Sequence, residues 1–332
     1  MKIFITGGTG FIGRRLTERL VSKGHEVILL LRDPSKAVSY AGNKVNYIAG
    51  DIFDKEALIK GIAGCDCVFH MAAYTKPGSA DPSVPYKTNV TGTVNVLEAA
   101  ATCSVRKVVL TSTGGTMGCS QNGNTVDELT NSEPHFNTVY EKTKFEAEGI
   151  AREYSDRGLD VVIVNPTRVY GPGLLSKSNS LTRLIKLYIS GLWRILPGDG
   201  DSTGNYVYID DVVEGHILAA RSGKKGERYI LGGENLTFRE LFDITGEVAG
   251  KKRVLFPLPS VMMNVIIKSA LFISRITGKP PFITGEWLDK YMNDWIMSSD
   301  KAVAELGYRI TPFRAGVAET IKWIKKAPER NG

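Results

Sequence analysis

Cysteine is scarce, with 4 in 332 residues. Cys65 and Cys67 stand one residue apart, and no second Cys/His pair has zinc-finger spacing, so no disulfide framework and no metal site is expected. The thiols are expected to be reduced and packed as small apolar groups. No uncharged apolar run reaches the roughly 18 residues that span a bilayer, so no transmembrane segment is expected. The opening Lys2-Ile3-Phe4-Ile5-Thr6 lacks the apolar core and cleavage site of a secretory signal, which points to a reduced, cytoplasmic setting. There is no long basic run. The 42 Lys+Arg against 35 Asp+Glu leave +7, a balance that favours anionic small molecules over nucleic acid. A hydrophobic fraction of 42% excludes disorder, and 35 Gly with 14 Pro are too few for collagen.

What the chain does contain is an alternation of short apolar runs and helical patterns. Ile3–Thr6, Val27–Leu31, Val45–Ile48, Val68–Met71, Val108–Thr111 and Val161–Val164 read as strands without polar alternation, as strands buried on both faces should. Phe11–Ser22, Val84–Ala101 and Val139–Ser155 read as helices between them. The expected fold class is α/β, a Rossmann-type doubly wound parallel sheet with a smaller, helix-rich C-terminal substrate lobe. Residues 1–166 form the dinucleotide-binding domain in this reading, with 203–226 returning to it. Residues 167–202 and 227–327 form the substrate lobe. Within the second half, Asn205–Ile209 reads as a strand, Asp211–Arg221 as a helix, and a further helix begins near Thr237. Ser260–Ile276 is rich in apolar residues (Val261, Met262, Met263, Val265, Ile266, Ile267, Leu271, Phe272 and Ile273), broken by Lys268 and ending at Arg275. It reads first as a buried packing helix; a wall over the substrate and a membrane-surface helix are the other two readings.

Gly7, Gly10 and Gly13 lie in Thr6-Gly7-Gly8-Thr9-Gly10-Phe11-Ile12-Gly13, between the first strand and the first helix. Glycine suits this turn because a Cβ would block the approach of a pyrophosphate, which the helix N-terminus then attracts. The loop residues Gly7, Thr9, Gly10, Phe11, Ile12 and Gly13 are therefore assigned to the cofactor. At the end of the second strand a carboxylate would hold the ribose hydroxyls of NAD, whereas Arg suits the 2′-phosphate of NADP. Leu31 fills the carboxylate position and Arg32 follows, with Arg14 nearby as a second cation. NADP(H) is the expected cofactor, with NAD(H) possible if Asp33 is the ribose ligand instead.

Tyr140 and Lys144 are spaced i and i+4, on one helix face. An ammonium beside a phenol lowers a pKa of about 10 and makes the phenol a proton donor near neutrality. Val108–Thr111 continues into Ser112-Thr113-Gly114-Gly115, which brings hydroxyls to the carboxyl end of a central strand, where ligands bind in open α/β sheets. One such hydroxyl can orient a substrate oxygen.

Together these residues resemble the extended short-chain dehydrogenase/reductase (NAD-dependent epimerase/dehydratase) family over nearly the whole chain. Gly50-Asp51-Ile52 is similar to that family's adenine-contacting segment, and His70-Met71-Ala72-Ala73 to its cofactor-lining loop. Asn89-Val90-Thr91-Gly92-Thr93 resembles the helix with its active-site Asn, Asn165–Pro172 its segment beside the nicotinamide, and Asn205–Val212 its domain-linking block. The resemblance implies Thr113, Tyr140, Lys144 and Asn89 as catalytic, Asn89 through a proton-relay water. It implies Asp51, Ile52, Ala72, Ala73, Pro166 and Val169 as further cofactor contacts, and Tyr74, Thr113, Gly114 and Tyr170 toward the substrate. Val27–Pro34 is similar to the dihydroflavonol-reductase-like branch, so the implied activity is NADP(H)-dependent reduction of a small carbonyl compound. A nucleotide-sugar epimerase with tightly bound NAD is the alternative, and a non-catalytic dinucleotide sensor a minor one. The Gly114-Gly115 pair stands where sugar dehydratases carry Asp-Glu, which disfavours dehydration. A homodimer through the helices Val84–Ala101 and Val139–Ser155 is the remaining implication.

Overall fold

The computed structural model describes residues 1–33, 45–75, 81, 83–130, 136, 138–175, 179–277 and 292–326. Pro34, at the end of the second-strand motif, lies outside them. The first half alternates as the apolar runs demand: β1 (Lys2–Thr6), α1 (Phe11–Ser22), β2 (Glu26–Leu31), β3 (Val45–Ala49), α2 (Lys55–Ile62) and β4 (Cys67–His70). Next come α3 (Ser83–Tyr86), a π-helical turn (Lys87–Thr91), α4 (Gly92–Thr102), β5 (Lys107–Thr111), α5 (Val139–Asp156) and β6 (Val161–Pro166). The expected helix Val84–Ala101 is thus interrupted. The π turn adds a residue to the spiral at Asn89, a distortion frequent where a side chain must be aimed.

Seven parallel strands run in the order β10-β6-β5-β4-β1-β2-β3, with β10 at Arg228–Leu231. Successive residues of each strand face opposite layers. Ile3, Ile5, Val27, Leu29 and Phe69 pack with Leu16 and Leu20 of α1, whereas Phe4, Ile28, Leu30 and Val68 pack with Leu58 of α2 and Val96 of α4. Both faces are covered, which explains why the strands read as continuous apolar runs. The order reverses between β1 and β4, and their carboxyl ends open the crevice where ligands bind such sheets.

The second half contributes β7 (Arg168–Tyr170), α6 (Ser180–Ser190), β8 (Ile195–Pro197), β9 (Thr203–Tyr208), α7 (Ile209–Ser222), β11 (Glu234–Thr237), α8 (Phe238–Ala249), β12 (Phe256–Leu258), α9 (Ser260–Thr277), α10 (Asp300–Leu306) and α11 (Phe313–Lys326). The strand expected to return to the first sheet does not. β9 lies between β11 and β7 in a separate three-stranded sheet, because the free edge beside β6 is taken by β10. Helix α7 does cover the large sheet, through Val212, Val213 and Ala219. The apolar segment after Ser260 is a helix, yet only Met263, Ile267 and Ala270 are buried among its described side chains, so the packing-helix reading holds for one stripe.

Long-range hydrogen bonds tie the C-terminal segment back onto α7 and β11. The Asp211 carboxylate in the first turn of α7 accepts from the Thr311 amide and hydroxyl at 2.7 Å each, 100 residues away. Glu234 accepts from the Phe313 amide at 2.7 Å and so starts α11. Asp211→Ala removes two charge-assisted bonds at a half-buried site, and a loss of about 2 kcal/mol in urea unfolding is expected.

Candidate active site

The Gly7–Gly13 loop leaves β1 with Gly7 at φ +74°, a conformation natural to glycine. A Cβ on Gly7 would sit 2.7 Å from the Ala72 amide nitrogen, and one on Gly13 would sit 2.3 Å from the Gly7 carbonyl oxygen. A Cβ on Gly10 would meet only that carbonyl, at 3.2 Å, with the rest of its surroundings open. Gly10 caps α1 without a side-chain bond, and the first turn carries no acid, so the helix N-terminus keeps its positive end for an anion. This open cradle at a bare helix terminus fits a dinucleotide pyrophosphate.

Around it stand the other assigned residues. Ala72 donates its amide to the Thr6 hydroxyl at 3.2 Å, and the Ile52 carbonyl accepts from Asn95 at 3.1 Å. The Ile52 side chain occupies the space above Gly92, where a Cβ would lie 2.3 Å from its Cδ1. Leu31 is buried, whereas the Arg32 side chain is 85% exposed and reaches Asp51 only at 3.8 Å. Arg14, the second candidate cation, is engaged with Glu18 at 3.3 Å.

Thr138 caps α5 by accepting from the Glu141 amide at 3.0 Å, which sets Tyr140 in the first turn and Lys144 one turn below. Lys144 is 1% exposed. Burial lowers its ammonium to about 8, and the Glu148 carboxylate opposes that shift. Burial raises the Tyr140 phenol above its ordinary value, with Glu141 adding to the effect. Thr113 and Ser112 now separate. Ser112 is buried and donates to Glu148 at 2.5 Å, whereas Thr113 lines a small cleft with Gly114, Thr167, Arg168, Trp295 and Met297. The Thr113 oxygen also accepts from the Gly115 amide at 3.2 Å, which leaves its hydrogen to donate.

Asn89 is buried, and its amide oxygen accepts from the Tyr74 amide at 2.7 Å. Its nitrogen donates to the Tyr74 carbonyl at 3.2 Å and to Thr143 at 2.9 Å. Asn89 therefore pins the cofactor-side loop to the helix carrying Tyr140. Tyr170, assigned to the substrate, lies elsewhere. It is fully buried among Tyr208 and Phe313, with its hydroxyl directed at the Phe313 carbonyl, because β7 turns it into the core. Pro166 ends β6 and Val169 is half-buried in β7.

No residue pattern singles out Glu148, although it follows Lys144 by one further helical turn. It is completely buried. Its Oε1 accepts from Ser112 at 2.5 Å, Thr116 at 2.7 Å and Asn165 at 2.7 Å. Its other oxygen accepts from Arg152 at 3.2 Å and faces Arg228 at 3.7 Å. The carboxylate ties α5, the turn carrying Thr113 and β6 into one unit. Trp295 and Met297 were also missed, since they reach the cleft from the far end of the chain.

Residues 3–232 match the NAD dependent epimerase/dehydratase family. The chain is 29% identical over 331 residues to a Synechocystis protein named for dihydroflavonol 4-reductase, covering 97% of this chain and 94% of that one. It superposes on the crystal structure of gox2253 with a TM-score of 0.79 at 32% identity, covering 98% of both chains. The Streptomyces venezuelae dTDP-glucose 4,6-dehydratase DesIV, solved with NAD bound, superposes with a TM-score of 0.76 at 28% identity, over 98% of this chain and 97% of that one. Glu148→Ala removes the acceptor shared by Ser112, Thr116, Asn165 and Arg152 and the ion pair with Arg228, and a loss of about 3 kcal/mol in chemical denaturation is expected.

Proposed function

Because the chain belongs to the NAD dependent epimerase/dehydratase family and is an NAD(P)-dependent oxidoreductase of the extended short-chain type, we propose that it reduces a carbonyl compound to an alcohol with NADPH. The observation that carries this reading is the end of β2, where a buried Leu31 stands in place of a ribose carboxylate and Arg32 extends into solvent; the presence of Thr113, Tyr140 and Lys144 in the same chain supports it. A guanidinium fork suits a 2′-phosphate, whereas an epimerase with tightly held NAD calls for an acid at Leu31.

The glycine loop and the α1 N-terminus would hold the pyrophosphate, with Ile52, Ala72 and Ala73 lining the remainder. When bound, the reduced nicotinamide supplies the hydride. Thr113 donates to the carbonyl oxygen and orients it. Tyr140 gives its phenolic proton to that oxygen as negative charge develops, and the Lys144 ammonium stabilises the phenolate left behind. Asn89 acts in this reading as a positioning residue for Tyr74 and α5. Trp295 and Met297 offer apolar surface to the substrate, and Arg168 and Asn205 add polar groups to the same lining.

Turnover is tested by NADPH oxidation against a panel of aldehydes and ketones. Tyr140→Phe should cut kcat by at least about a hundredfold with the fold intact, the lower end of a typical acid–base contribution. Lys144 is cationic below about 8 and neutral above, so kcat/KM for reduction should fall as pH rises through that value. Unchanged turnover in the variant removes the proton-donor assignment.

Cofactor choice is read separately. Arg32→Ala should raise the KM for NADPH about tenfold while that for NADH stays within about twofold, as expected for loss of one charged hydrogen-bonding group to phosphate. Equal effects on both cofactors would mean that Arg32 does not read the 2′-phosphate.

A further inference from the structure

Helix α9 carries apolar side chains on two sides, one packed against protein and the other largely exposed. Met263 and Ile267 pack against Ile195, Leu258 and Met292, with Ala270 buried on the same side. At 100° per residue these three fall within a single arc, and the opposite arc holds Val261, Met262, Val265, Ile273 and Ile276. Those five are exposed by 72%, 54%, 60%, 55% and 70%. Ser269 lies among them, yet its hydroxyl donates to the Val265 carbonyl at 2.9 Å, so it adds little polar demand to the face. Just before the helix, Val254 and Phe256 are exposed by 69% and 62%. A contiguous exposed apolar face of this kind marks an interaction surface.

Charge identifies the partner. Between Glu247 and Glu286 the chain has no acidic residue and six basic ones, Lys251, Lys252, Arg253, Lys268, Arg275 and Lys279. These six account for nearly all of the net charge of +7, so the excess is concentrated at this helix and its flanks and not dispersed along the chain. Lys251 and Lys268 are exposed; Lys252 pairs with Glu247 at 3.1 Å, and Arg253 donates to the Ile189 carbonyl at 3.2 Å. A second copy of the same surface would oppose cation to cation. Anionic lipid satisfies both halves at once, with headgroups for the lysines and acyl chains for the valine, methionine and isoleucine side chains. No helix among the described residues is long and apolar enough to cross a bilayer, so α9 lies along the surface.

We propose that α9 and the basic segment before it dock this protein onto an anionic lipid surface. The buried side of α9 meets Met292, three residues before Trp295 of the cleft lining.

The test is flotation of the full chain with vesicles of phosphatidylcholine alone and of phosphatidylcholine mixed with phosphatidylglycerol. No turnover is measured, so the result is independent of the reductase reading. The wild type is expected to float with the mixed vesicles and to be released by high salt. Val265→Glu with Ile276→Glu should weaken that binding about tenfold or more, while circular dichroism and NADPH binding stay unchanged. Lys268→Glu should weaken it severalfold without altering the apolar face, which keeps the test decisive if the double variant folds poorly. Failure of the wild type to bind mixed vesicles overturns the proposal. So does equal binding to phosphatidylcholine alone that resists salt, or wild-type affinity in a folded double variant. Self-association that the double variant abolishes, without vesicle binding, assigns the face to a second copy and equally overturns it.

Discussion

A lysine ammonium held almost wholly out of water is the constraint on which the rest of the active cleft depends. Desolvation drives Lys144 toward its neutral form, and Glu148 drives it back. The balance near 8 leaves the group cationic at neutral pH, but by a narrow margin. Tyr140, Lys144, Glu148 and Arg152 follow one another at i+4 along α5, so one helix face alternates proton donor, cation, anion and cation. The carboxylate survives complete burial because three hydroxyl or amide donors and two guanidinium groups surround it. The donors Ser112 and Thr116 flank Thr113, so the group that keeps the lysine charged also fixes the turn that carries Thr113.

A second buried chain links the nucleotide loop to that helix, and its proton positions can be assigned. The Asn89 carbonyl can only accept, so the Thr93 hydroxyl donates to it at 2.6 Å and must accept from His70 Nε2 at 3.0 Å. His70 Nδ1 then accepts from the Thr6 hydroxyl at 2.7 Å, and Thr6 accepts from Ala72. Every member is satisfied with a neutral imidazole, in keeping with burial and the nearby Lys144 holding His70 at about 3. β1, β4 and the π turn are thereby locked in register around the crevice, without introducing a second cation beside Lys144.

The nucleotide half of the molecule was readable because its determinants are local. Gly7, Gly10 and Gly13 occupy one turn, Tyr140 and Lys144 one helix face, and α1 runs over the same Phe11–Ser22 that its apolar spacing marks out. Strands buried on both faces announce themselves by composition. The π turn at Asn89 was invisible, since no composition distinguishes it from ordinary helix. The place of β9 depended on which later segment would fill the edge beside β6, a competition between strands that residue patterns do not settle. Tyr170 misled because a tyrosine beside Gly171-Pro172 reads equally as a cleft residue and as a core one. Its neighbours Tyr208 and Phe313, brought in by separate elements, decide the matter.

The substrate wall obeys a different rule, and the difference explains why its specificity resists reading from sequence. Trp295 and Met297 sit on a stretch whose backbone is held independently of their side chains. Ser120 donates to the Asp294 carbonyl at 2.8 Å, Val126 to Ile296 at 2.8 Å, and Ser298 to Val126 at 3.0 Å. These backbone bonds fix the path of the stretch whatever side chains it carries. Met297 nonetheless lies directly on the catalytic turn, where a Cβ at Gly114 would approach its sulfur to 3.0 Å. Changes at Trp295 can therefore reshape the cleft with little effect on Thr113, Tyr140 and Lys144, whereas changes at Met297 press on the Gly114 turn itself. In the proposed reading the proton-transfer groups are held by burial and hydrogen bonding around the first sheet, and the choice of substrate falls to an extended segment that reaches it from outside.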